Sequence, residues 1–75
     1  GLAIDMSGQL WIADPFCGTL ERLDDDEVVE VTHDVADVTV PIDLGFDRAG
    51  NLYILDAGSQ AILRIAADDL PRAEP

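Results

Sequence analysis

Four aspartates carry most of the chemistry this sequence offers, and they fall into two pairs. Asp5 and Asp47 each open an Asp-x-x-Gly turn, while Asp14 and Asp56 each close an apolar run. Carboxylates gathered at one mouth of a fold could hold Ca²⁺, which takes about six to eight oxygen ligands. The competing role is local: each Asp accepts N–H bonds from its own turn, a conformation this side chain favours. Recurrence decides between them, because one shared metal site would not need the same acid in every copy. The four are therefore assigned to turns, and the sequence nominates no catalytic, cofactor-binding or metal-ligating residue.

The remaining candidates are weaker. His33 is the only histidine, and with no Ser or Cys nucleophile at a recognisable spacing it lacks the partners an acid–base site needs. It reads as a solvent-facing residue in an acidic link. Cys17 is the only cysteine; it sits in a Pro/Gly turn without a second Cys or a cation to favour its thiolate. A Gly-rich phosphate loop, HExxH and GxSxG are all missing from the sequence.

The elements that position these residues follow from a repeat. Gly8-Gln9-Leu10-Trp11-Ile12-Ala13-Asp14 returns as Gly50-Asn51-Leu52-Tyr53-Ile54-Leu55-Asp56, 42 residues later. The same offset matches Leu2 with Leu44, Ile4-Asp5 with Phe46-Asp47, Leu20 with Ile62, Arg22 with Arg64 and Leu23 with Ile65. In the first copy, strands are predicted over residues 2–4, 10–13, 19–23 and 27–32 from β-branched and aromatic content bounded by turn residues. The Asp24-Asp25-Asp26 run reads as a solvated hairpin turn, and residues 33–40 as the link to the second copy. There the strands fall at 42–46, 51–55 and 61–65, after which two prolines and three acids argue against a fourth. Trp11 and Tyr53, sharing one repeat position, are expected to pack between the copies, and Arg22 and Arg64 to pair with acids on neighbouring strands.

Composition bounds the partners. Sixteen acidic against four basic residues, all Arg, leave a net charge of −12 over 75 residues. Such a surface repels phosphate backbones and anionic headgroups, so neither nucleic acid nor a membrane is an expected partner. A core of this size rarely supplies more than roughly 3–5 kcal/mol of net stability. The chain enters its first copy at Gly1 without an initiating Met, which predicts a piece of a longer polypeptide or a trimmed one. Nothing here assigns a compartment.

The pattern apolar strand, Asp-x-x-Gly-Asn-Leu-Tyr-Ile-x-Asp, small-residue turn, apolar-x-Arg-apolar resembles the NHL repeat. Relatives of that repeat build six-bladed β-propellers, gluconolactonase-like and peptidylglycine-lyase-like proteins among them. Phe46 to Asp56 is the closer copy; Ile4 to Asp14 is looser, with Gln9 in place of Asn. Residues 15–23 are also similar to propeller segments of phage-tail-like and contractile-injection baseplate proteins. The resemblance implies an all-β fold of antiparallel blades, with a first four-stranded blade and its link at 1–40, a second three-stranded blade at 41–66 and an irregular tail at 67–75. It further implies that neighbouring blades come from a longer chain or from identical copies, a trimer giving six. The expected role is a non-enzymatic scaffold or protein-interaction module without a cofactor. The alternatives are part of a metal-dependent propeller hydrolase or lyase, with Ca²⁺ on the axis, or a decoration of a phage-tail-like assembly.

Overall fold

The computed structural model describes residues 1–35 and 37–71, the side chains of residues 33 and 34 excepted. Among the described residues, seven strands run in chain order: β1 (Leu2–Ile4), β2 (Leu10–Asp14), β3 (Thr19–Asp24), β4 (Glu27–Glu30), β5 (Pro41–Phe46), β6 (Leu52–Asp56) and β7 (Ala61–Ile65). A one-turn helix α1 (Thr32–Val35) lies in the link, and a 3₁₀ turn (Ala67–Asp69) follows β7. The strands form two antiparallel meanders, β1-β2-β3-β4 and β5-β6-β7.

Each meander is set by its turns. Gly8 and Gly50 both have φ of +86°, a left-handed conformation that costs glycine nothing. Their amides close the turns on the carbonyls of Asp5 and Asp47, both at 3.0 Å. With the turns fixed, register follows: Leu2 faces Ile12 and Ile4 faces Leu10 in the first sheet, while Leu44 faces Ile54 and Phe46 faces Leu52 in the second. A register shift between Pro41 and Asp43 lets β5 begin one residue earlier than its pattern predicts.

The two sheets pack on one another, approaching most closely along β1, β2 and β5. One core results, built from Trp11, Ala13, Leu20 and Val31 on one side and Leu44, Leu52, Ile54 and Ile65 on the other. Strand alternation puts these residues together, since every second side chain of a strand shares a face.

The fourth strand stops at Glu30, two residues short of the predicted end, because Thr32 has another partner. Its hydroxyl accepts the amide of Leu20 at 2.8 Å and reaches the Leu20 carbonyl at 3.3 Å, and the Val31 amide donates to that carbonyl at 2.9 Å. The chain is thereby turned into α1, a helical turn where the sequence predicts only a link. Among the described residues no strand follows β7, and residues 72–75 of the predicted irregular tail lie outside them.

Leu20 and Leu52 are fully enclosed. Replacing either with Ala removes buried methyl groups and leaves a cavity, so unfolding free energy should fall by about 2–5 kcal/mol. In a urea titration such a loss brings the chain close to its unfolding midpoint in buffer, whereas an unchanged midpoint would mean that the two sheets do not share this core.

Candidate functional site

The four sequence-nominated aspartates divide by what they hold. Asp5 and Asp47 are matched hairpin caps. Asp5 Oδ1 accepts the amides of Ser7 and Gln9, both at 2.9 Å, and its Oδ2 accepts the Trp11 indole N–H at 2.9 Å. Asp47 Oδ1 accepts the amides of Ala49 (3.0 Å) and Asn51 (2.9 Å), and its Oδ2 accepts the Asn51 side-chain amide and the Tyr53 hydroxyl at 3.0 and 3.1 Å. These bonds hold the Asp47 carboxyl below the usual carboxylate range, the Asn51 side chain foremost. Asp14 caps an exposed turn through the amides of Phe16 (3.0 Å) and Cys17 (3.3 Å).

Asp56 departs from the expectation of a local cap. It is completely enclosed, and its partners lie mainly in the link: the amide of Val40 at 2.7 Å, the amide of Thr39 at 3.2 Å and the Thr39 hydroxyl at 3.3 Å. Only the Ser59 hydroxyl, at 2.7 Å, belongs to its own turn. Close packing supports this clasp, since a Cβ at Gly58 would overlap the Thr39 side chain. Asp56 thus fastens the returning chain to the second sheet. Sequence spacing placed the acid correctly but could not disclose a partner 16 residues away.

The arginines also separate. Arg22 is almost wholly enclosed and pairs with Asp24 on its own strand rather than on a neighbour, with Nε–Oδ1 at 2.5 Å and Nη2–Oδ2 at 2.9 Å. The guanidinium holds the Asp24 carboxyl below the usual range. Its Nη1 donates to the Pro71 carbonyl, and its Cζ lies 5.4 Å from the centre of the Trp11 ring. Arg64 is exposed. The Trp11 ring meets Phe46 edge-on at 5.5 Å, as packing between the copies requires, but Tyr53 at the equivalent position is open to solvent.

A half-open groove of about 640 Å³ lies where the β1–β2 and β5–β6 turns meet the 3₁₀ segment. Trp11, Phe46, Met6 and Leu70 give it apolar lining, and Asp5, Ser7 and Gln9 add polar groups. The acid and the amide among them are already engaged: both Asp5 oxygens are taken, and the Gln9 side chain donates to Asp24 at 3.0 Å.

Cys17 is exposed and free. A hydrogen bond to the Asp14 carboxylate pushes its thiol up, so the reactive thiolate is disfavoured at neutral pH. The side chain of His33 lies outside the described residues. Among the described residues no three His, Cys, Asp or Glu side chains cluster closely enough to hold a metal ion. No protein-family model matches the chain, and no curated protein matches it.

Asp56 makes stability depend on pH. The Ser59 hydroxyl and the Val40 and Thr39 amides hold its carboxyl below the usual range against the opposing effect of burial, with Ser59 the largest cause. A carboxyl more acidic in the folded than in the unfolded chain contributes fully above its unfolded value, about pH 4, and loses that contribution as pH falls through the folded value. Urea midpoints measured downward from about pH 5 should therefore drop below about pH 4. Asp56→Asn should lower the midpoint at neutral pH and flatten the acid limb, more than Asp14→Asn does; equal acid limbs in the two variants would exclude the clasp.

Proposed function

We propose that this chain is a pair of NHL-like β-propeller blades serving as a non-enzymatic interaction scaffold, completed by further blades of the same kind. The observation that carries this reading is the polarity of the packing. The face of the first sheet bearing Trp11, Ala13, Leu20 and Arg22 lies on the face of the second bearing Leu44, Leu52, Ile54 and Ile65. In the repeat these are opposite faces, so one unit stacks front to back on the next, as blades around an axis must.

The recurrent carboxylates support a scaffold over an axial metal site, since each is spent on the turns and links that shape a blade. The groove at the turn end, lined by Trp11, Phe46, Met6 and Leu70, is the place such a module would offer to a partner carrying an apolar side chain.

The blade reading predicts that adding blades adds stability. Two copies of the 75-residue chain joined by a flexible linker of about ten Gly and Ser residues hold their faces at millimolar effective concentration. The fusion should unfold in one transition at a higher temperature than the single chain. Two units melting independently at the single-chain temperature would overturn the reading.

A further inference from the structure

Following each face through both copies of the repeat leaves one contact made and its two halves open. The front of the first unit is enclosed, yet the equivalent residues of the second unit, Tyr53, Leu55, Ile62 and Arg64, are exposed. Leu20 is 0% exposed and its counterpart Ile62 is 70% exposed. The back of the second unit is enclosed, with Leu44 and Phe46 against the first sheet, while their counterparts Leu2 and Ile4 stand 66% and 58% exposed. Leu10 and Ile12, the counterparts of the wholly enclosed Leu52 and Ile54, remain partly open.

We infer that the partner for these surfaces is a second copy of this chain, docked head to tail, with the β5–β7 front of one copy on the β1–β3 back of the next. The inference rests on the front-to-back reading above and adds which molecule supplies the neighbour. The contact is a repetition of one the chain already makes between its own halves, with the same strand positions meeting in the same order. Tyr53 takes the place of Trp11 and meets Ile4 in the place of Phe46; Leu55 and Ile62 take the places of Ala13 and Leu20.

Charge fits the same arrangement. Arg22 reaches across the internal joint to the carbonyl of Pro71, and Arg64 stands exposed at the equivalent position on the open front. The back face that Arg64 meets in the next copy carries Glu21, opposite Ile12 in the β2–β3 register. Because the two docking surfaces differ, the interface is heterologous, and it closes as a ring when the rotation per copy allows. Rings of about four to eight blades, the usual propeller range, need about two to four such chains.

The native mass of the 75-residue chain, read by analytical ultracentrifugation alongside its β signal in circular dichroism, tests this docking. The expected result is a discrete multimer. A folded monomer overturns the inference, and because the tethered fusion tests the blade contact at far higher effective concentration, that outcome leaves the blade reading to be judged separately. Two surface variants test polarity. Ile62→Glu disables only the front and Ile4→Glu only the back, so each alone should be a folded monomer, and their equimolar mixture should give a one-to-one dimer that grows no further. A mixture that stays monomeric, or a multimer indifferent to both substitutions, overturns head-to-tail docking. The mass of the unsubstituted chain still separates multimer from monomer where a variant loses its β signal.

Discussion

A strand turns alternate side chains to opposite sides, so a repeat unit made of strands has two faces that need not resemble one another. Everything distinctive in this chain follows from that constraint. The front of one unit and the back of the next carry different apolar sets, and the fold brings one of each together in its middle. Had the faces been alike, the two sheets could have met symmetrically and finished the core. Because they differ, identical positions lead different lives: Trp11 is sealed under Phe46 and Arg22, while Tyr53 keeps the same hydrogen bond to its hairpin aspartate but faces outward.

The hairpin caps and the link clasp act at different levels of this design. Asp5 and Asp47 shape turns within a unit, and sequence neighbours are all they need. Asp56 acts between units, converting the position of Thr39 and Val40 into the position at which β5 starts. Buried acceptors of this kind are stabilising only while every bond is made, because the carboxylate has no water to fall back on. The tightness around Gly58 shows the same demand from the steric side.

How much of this was legible in the sequence depends on the range of the interaction. Strands β1, β2, β3, β5, β6 and β7 were readable to within a residue at either end because their periodicity and turn residues are local signals. The end of β4 was not readable, since Thr32 leaves the strand to satisfy the backbone of Leu20, 12 positions earlier. The internal match identified which residues are equivalent but could not say which of two equivalents is buried; Leu20 and Ile62 look alike in the chain and differ only in whether a neighbour is present. The pairing of Arg22 with Asp24 along one strand, in place of a cross-strand acid, follows from its enclosure beneath the 3₁₀ segment.

That last segment has a mechanical role. The amide of Ala67 is held by the Asn51 side chain at 3.0 Å, and the Pro71 carbonyl is held by Arg22, so residues 67–71 are strapped to both sheets while forming one wall of the groove. Pushing that wall outward lifts an acceptor from an enclosed guanidinium, which is unfavourable in a way that moving an exposed loop is not. The wall of the groove is therefore anchored for an electrostatic reason: the bond that holds its far end is made at the joint between the sheets.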